Sequence, residues 1–186
     1  MAQLVVKKKK KVWFSIVSPK EFGDFIVAET LASDPSILTG RVVRASLMDL
    51  TNDPKKQNVQ LTFKITSVKE KDAYTDLIRY ELTPSYIRRL MRKERDKVED
   101  SFVALSKDNV KVRIKPFIIT KSKTQNSVLS AIRKRAREFL ADFLREQTYY
   151  DFISEVTSTK TQKTLREQLK KIYPIAVLEF RVVERV

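Results

Sequence analysis

The chain has 186 residues, 42% of them hydrophobic, and carries 38 Lys and Arg against 23 Asp and Glu for a formal net charge of +15. It contains no cysteine, no histidine and only two glycines. That excludes disulfides, metal sites with Cys or His ligands, catalysis by His or Cys, and a glycine-rich phosphate loop. No apolar run approaches the roughly 18 residues of a membrane span, and residues 1–11 lack the apolar core and cleavage site of a secretory signal.

Residues 1–11 close on five consecutive lysines, Lys7, Lys8, Lys9, Lys10 and Lys11. Like charges at this density repel, which predicts a disordered basic tail (1–11) ahead of one domain (12–186). Val12, Ile16 and Val17 begin the apolar signal as a strand that Pro19 ends. Trp13, beside the lysines, either stacks on nucleic-acid bases or anchors the tail to the core. A turn at Phe22-Gly23 leads to a short strand over 25–31. A loop follows between Asp34-Pro35 and Thr39-Gly40, and then a strand over 41–47 alternates Val43, Ala45 and Leu47 against Val42, Arg44 and Ser46. Residues 49–58 hold Asn52, Asp53, Pro54 and Asn58 and read as a turn.

The clearest strand comes next. Val59, Leu61, Phe63 and Ile65 share one face, and Gln60, Thr62, Lys64 and Thr66 the other. A turn near Glu70-Lys71-Asp72 leads into a strand over 74–82, with Ile78, Tyr80 and Leu82 alternating with Arg79 and Glu81. Thr83-Pro84 opens a helix, since proline suits the first helical position. Its apolar face is Tyr86, Ile87, Leu90 and Met91, and its flank is Arg88, Arg89, Arg92, Lys93 and Arg95. Strands resume at 101–105 and 110–119, joined by Lys107-Asp108-Asn109 as a tight hairpin. In the second of them Val112 and Ile114 face inward and Lys111, Arg113 and Lys115 outward, about 7 Å apart.

Residues 120–146 predict a long amphipathic helix. Val128, Leu129, Ile132, Ala136, Phe139, Leu140 and Phe143 form one stripe, with Arg133, Lys134, Arg137 and Arg145 beyond it and Lys121 and Lys123 ahead of it. A short apolar helix over 149–155 follows, broken by Thr157-Ser158-Thr159, which also suit the cap of the next. A helix over 160–173 places Leu165, Leu169 and Ile172 on one face. Pro174 stops it, and a last strand over 176–186 returns to the sheet with Leu178, Phe180 and Val182 inward. The predicted class is α+β. It has an antiparallel, barrel-like β core, a short helix after the central strands, a long basic helix, C-terminal helices and a final strand that closes one domain.

The charge is concentrated. Residues 1–20 net +6, residues 84–97 net +4 and residues 120–150 net +4, which leaves +1 for everything else. A near-neutral body with three basic patches is the footprint of a polyanion binder. The candidate contacts are Lys7 to Lys11, Trp13, Arg41, Arg44, Arg88, Arg89, Arg92, Lys93, Lys111, Arg113, Lys115, Lys121, Lys123, Arg133, Lys134 and Arg137. The carboxylate pairs Asp49 with Asp53 and Asp72 with Asp76 could hold Mg²⁺ but read better as turn and cap residues. The pattern is that of a binding protein, not an enzyme, with no cofactor and no metal. The polyanion could be RNA in a large assembly or DNA. An acidic protein or a membrane surface would explain the lysine tail alone and leave the other two patches without a purpose.

Trp13 followed by Ser18-Pro19, the run Gly40-Arg41-Val42 with Ser46-Leu47, Asp49-Leu50 and Asn52-Asp53, and Tyr173-Pro174 carry a resemblance. The chain resembles the archaeal and eukaryotic small-subunit ribosomal protein family S three-a-e, also called eukaryotic-type S one. The likeness spans nearly the whole chain, and the absence of the longer eukaryotic tails looks archaeal. The resemblance implies a cytoplasmic ribosomal protein on the platform of the small subunit near the messenger exit. Its partners would be small-subunit rRNA and neighbouring platform proteins, with messenger as a further candidate. A non-ribosomal DNA-binding protein or RNA chaperone using the same patches is the alternative.

Overall fold

The structure, a computed structural model, describes residues 10–186. Its strands are β1 (Val12–Val17), β2 (Ile26–Ala32), β3 (Val42–Ser46), β4 (Val59–Lys69), β5 (Asp72–Leu82), β6 (Lys97–Glu99), β7 (Phe102–Leu105), β8 (Lys111–Thr120) and β9 (Ile175–Arg185). Its helices are α1 (Leu47–Thr51), α2 (Pro84–Leu90), α3 (Asn126–Glu146), α4 (Tyr149–Thr157) and α5 (Lys160–Lys170). The class is α+β, as expected. The strands form one nine-stranded sheet in the order β2-β1-β5-β9-β8-β6, with β3 on β4, β4 on β5 and β7 on β8. The sheet is mixed, because β1 and β5 run parallel, and it is not closed into a barrel. Alternation predicts strands but not their direction, and β1 reaches β5 only across the intervening hairpins.

Contacts group the chain into two compact units, residues up to 56 with 61–78, and residues 57–60 with 79–186. Strand β5 contributes to both, and its buried positions change parity at the boundary. Ala73, Thr75 and Leu77 are buried before it, Tyr80 and Leu82 after it. The expected Ile78 is only half-buried.

In the first unit Phe14, Ile16, Ala32, Leu38, Ile65 and Ala73 form one core cluster. Phe22 meets Phe63 edge to face at 6.2 Å between ring centroids. The turn before β2 requires Gly23. Its φ of 92° is left-handed, and a Cβ there would lie 2.8 Å from the Phe25 ring. The strand expected over 41–47 ends at Ser46, and part of the expected turn is helix α1. The Ser46 hydroxyl accepts from the Met48 N–H, and Asn52 terminates the helix at a φ of 52°. Short polar side chains at both ends let five residues form a turn of helix where composition reads as loop. Asp49 lies in its first turn, and Asp53 accepts from the Lys55 N–H, so both act as local structural residues.

In the second unit β8 lies between β9 on one side and β6 and β7 on the other. Helix α3 packs over β6 and β7 through Ile132, Ala136, Leu140 and Leu144. Leu144 joins the stripe unforeseen. Phe139 and Phe143, expected inside, are half-buried and stack at 5.6 Å. Phe143 then meets Phe152, and Phe152 meets Phe180, at 6.4 and 6.1 Å.

Two helices end earlier than expected. Helix α2 stops at Leu90, so Arg92, Lys93 and Arg95 follow it and Met91 is exposed. Pairing prevails over helix propensity there. Thr120 exchanges backbone and hydroxyl hydrogen bonds with Asp96 and draws the segment into β6, a strand too short to show a period. Helix α5 stops at Lys170, which leaves Ile172 40% exposed instead of inside. Thr159 heads α5 in a left-handed conformation without a side-chain cap.

Glu179, on β9, is a half-buried acid of the second unit. Burial pushes its carboxyl up to about 7, and hydrogen bonding from Gln162 offsets this only in part. Its charge in turn raises the hydroxyls of Tyr80 and Tyr86, each already raised by burial. A folded-state value above the unfolded one means the native state holds the proton more tightly. The stability this group adds is therefore complete below about pH 4.5 and is lost as pH rises to about 7. Glu179→Gln is expected to raise stability at pH 7.5 by up to about 3 kcal/mol. It should also flatten the pH dependence between those limits in denaturant unfolding at stepped pH.

Candidate nucleic-acid interface

The two basic windows far apart in sequence, 84–97 and 120–137, fall in the same unit and meet in space. Met91, Arg92, Arg95 and Asp96 come from the chain between α2 and β6, and Lys97 opens β6. With Ile119 of β8 and Leu129 of α3 they line a pocket of about 220 Å³. Asp96 closes its rim by accepting from the Thr124 N–H at 2.7 Å.

A larger groove of about 560 Å³ lies beside it. Glu99 of β6, Asp100 and Ser101 between β6 and β7, Lys115 and Pro116 of β8, Arg133 and Arg137 of α3 and Arg181 of β9 line it. Arg133 and Arg137 are four residues apart, so successive helical turns present them on one flank. Arg181 enters through an irregularity. Lys115 pairs with Val182 and Pro116 with Phe180, so Arg181 is an extra residue opposite a proline that has no N–H to donate. A bulge at such a place redirects a side chain.

Two carboxylates order these cations. The Arg137 guanidinium makes a fork on Asp100, Nε to Oδ2 at 2.9 Å and Nη2 to Oδ1 at 2.7 Å, and lies 5.7 Å from the centre of the Phe102 ring. Burial pushes the Asp100 carboxyl up, but the Arg137 fork, the Ser101 N–H and the charge of Arg133 outweigh it and hold the group below its usual range. Glu99 accepts from Arg181 at 3.3 Å and faces Lys97 at 3.6 Å. An arginine has five N–H donors. Arg137 spends two of them on Asp100, and its side chain remains 53% exposed. The acids thus fix the guanidinium planes and leave donors directed outward. Four cations against two carboxylates give the groove an excess of two positive charges, which suits successive phosphates of a nucleic-acid strand.

The remaining expected contacts divide by environment. Lys7, Lys8 and Lys9 lie outside the described residues. Lys10 and Lys11 are exposed, and Trp13 is 59% exposed, so it does not anchor the core. Arg41 donates to the Thr30 hydroxyl and, at 3.5 Å, to the Leu31 carbonyl, while Arg44 is exposed on β3. Arg88, Arg92, Lys93, Lys111, Lys121, Lys123, Arg133 and Lys134 are exposed. Arg89 bonds Asn58 at 2.9 Å and lies over Tyr86. Arg113 is tied to Glu184 at 2.8 Å, which withdraws it from the outward row expected with Lys111 and Lys115. Arg95 was expected at the end of the Arg88–Arg95 basic flank, whereas Lys97 and Arg181 were not foreseen as site residues. For Lys97 the signal was its window's charge, and for Arg181 the sequence holds none.

The charge follows the same division. Among the described residues the first unit has ten basic and nine acidic side chains, and the second has 25 and 14. The sequence model of the Ribosomal S3Ae family matches residues 3–186. Small ribosomal subunit protein eS1 of Halorubrum lacusprofundi is 33% identical over 174 residues, 94% of this chain and 81% of the relative. The protein of the same name from Haloarcula marismortui is 32% identical over 183 residues, 97% and 86% of the two chains. That from Methanothrix thermoacetophila is 34% identical over 178 residues, 96% and 84%.

Proposed function

Because this chain belongs to the Ribosomal S3Ae family, we propose that it is a structural, non-catalytic constituent of the small ribosomal subunit. In this reading it sits on the platform near the messenger exit and grips rRNA with its second unit. The observation that carries the reading is that Asp96, bonded to Thr120 and Thr124, joins two sequence-distant basic windows, one lining a pocket with Arg92, Arg95 and Lys97 and the other a groove with Arg133 and Arg137. Affinity arises from phosphates seated between the Arg133 flank, Lys115 and the segment from Arg92 to Lys97. Specificity arises from RNA shape, because several patches must engage at once. The neighbouring platform proteins and messenger complete the proposed set of partners, and the tail lysines add a diffuse, sequence-independent attraction.

Replacing Arg133 and Lys134 together with alanine tests the reading. Both side chains are exposed and lie off the buried stripe of α3, so thermal unfolding should be unchanged. The log–log salt slope of rRNA binding should become shallower by about two, one for each phosphate left without its cation. An unchanged slope would refute the assignment. Arg137 is left out of that variant because its loss would strand Asp100, which is 11% exposed, without its partner.

A further inference from the structure

The first unit, nearly neutral in its described residues, holds nine of the fourteen large hydrophobic side chains that are exposed. Several of them share one surface. In β1 Phe14 and Ile16 face the core, so Trp13, Ser15 and Val17 face out. Strand pairing sets their neighbours. Trp13 is opposite Leu31, Ser15 is opposite Glu29, and Val17 is opposite Ile26. On the other side Ser15 is opposite Asp72 and Val17 opposite Tyr74. The face therefore has three rows. Trp13 and Leu31 form an apolar row, Glu29, Ser15 and Asp72 an acidic row, and Ile26, Val17 and Tyr74 a second apolar row. Rows lie about 7 Å apart along β1, with Val27 an extra residue of β2 between the second and third, and the backbones of Glu29 and Asp72 lie about 10 Å apart across Ser15.

Trp13, Leu31, Ile26 and Tyr74 are 59, 38, 66 and 38% exposed. Glu29 and Asp72 are exposed too, and among the described residues neither has a cationic partner. The cations nearby are Lys11 beyond Trp13, Lys69 over the Tyr74 ring at 5.7 Å and Lys71, which precedes Asp72 and whose carbonyl accepts from the Ser15 N–H. Strand β2 pairs with β1 alone among the described strands, so its far edge carries no second strand ladder, although β3 approaches it and Arg41 donates to the Leu31 carbonyl.

We propose that this face and the β2 edge form a docking surface for an extended segment of a neighbouring small-subunit protein. That segment carries a Lys or Arg between apolar residues at alternate positions. The proposal rests on the ribosomal reading but uses a different unit and a different chemistry. Two carboxylates without a cationic partner among the described residues, at the centre of the face, repel phosphate and attract a cationic side chain, and the flanking rows take the apolar residues on either side of it. An open edge receives such a segment through main-chain hydrogen bonds. Trp13 is then a protein anchor, not a base-stacking residue.

The test places p-benzoylphenylalanine at Trp13 in the full chain, assembles small subunits with it, irradiates them and identifies the adducts by mass spectrometry. The expected product is a peptide of another small-subunit protein with a basic residue between apolar ones. Glu29→Lys with Asp72→Lys should lower its yield at least about tenfold, since like charges would meet, while the chain stays on the subunit. Adducts with rRNA or with a second copy of this chain, a yield unmoved by the double reversal, or no adduct from subunits that contain the chain would each overturn the proposal. Failure of the chain to enter small subunits would overturn the ribosomal reading itself and this one with it.

Discussion

Raising salt from 50 to 200 mM is expected to weaken binding to small-subunit rRNA by about a thousandfold, the loss implied by releasing counterions from about six phosphates. The second unit has more than enough free cations to engage that many. Arg88, Arg92, Lys93, Lys115, Lys121, Lys123, Arg133 and Lys134 have no carboxylate partner among its described residues. Arg113 is withheld by Glu184. Arg137 and Arg181 are shared with Asp100 and Glu99. Titration by fluorescence anisotropy across the salt range should give a log–log slope near about −5, and a slope shallower than about −2 would mean that charge is not what holds the RNA. The shared arginines sharpen the expectation. Their acids are already satisfied, so binding need not break those pairs to recruit the remaining donors.

Leu140→Ala is expected to cost about 2–5 kcal/mol of stability, the usual range when a fully buried leucine is truncated and the site cannot collapse. Leu140 is 0% exposed, between Ala136 and Leu144 on the stripe that α3 turns to the sheet. Guanidinium unfolding of the purified protein would measure it, and a loss below about 1 kcal/mol would place the residue outside a well-packed core. The same substitution should also weaken RNA binding near the unfolding midpoint, because α3 carries Arg133 and Arg137 on its outer flank. Adding a stabilising osmolyte should restore that binding, which separates it from the direct loss expected on replacing Arg133 and Lys134.

Much of this was legible in the sequence, for reasons specific to the residues. In β4, Val59, Leu61, Phe63 and Ile65 are buried as the alternation predicts, because a strand with one face in the core must keep a period of two. The exception, Thr62, is a small side chain that burial tolerates. Helix α3 was visible because its stripe persists through several turns. Helix α1 was not, although Ser46, Asp49 and Asn52 mark its start and end, because five residues are too few for a period to emerge. The extent of α2 was misjudged because the hydrogen bonds of Asp96 with Thr120 join residues 24 apart in the chain, a pairing that no local pattern contains. The basic windows could be read as composition. Their meeting around one pocket depends on how β6 and β8 pair, and the fork between Asp100 and Arg137 depends on the turn that follows β6.

The extra residue at Arg181 makes β9 sensitive to its length more than to its composition. Leu178 and Phe180 are buried before it and both Val182 and Val183 after it, and the register sets Phe180 opposite Pro116 and Val183 opposite Ile114, one position out of phase. A deletion of one codon there would bring the two halves back into step and mend the ladder. It would also erase the guanidinium that β9 supplies to the groove and seat Pro116 where an amide hydrogen is required. Among homologous genes, substitutions at this point should therefore be common and gaps scarce.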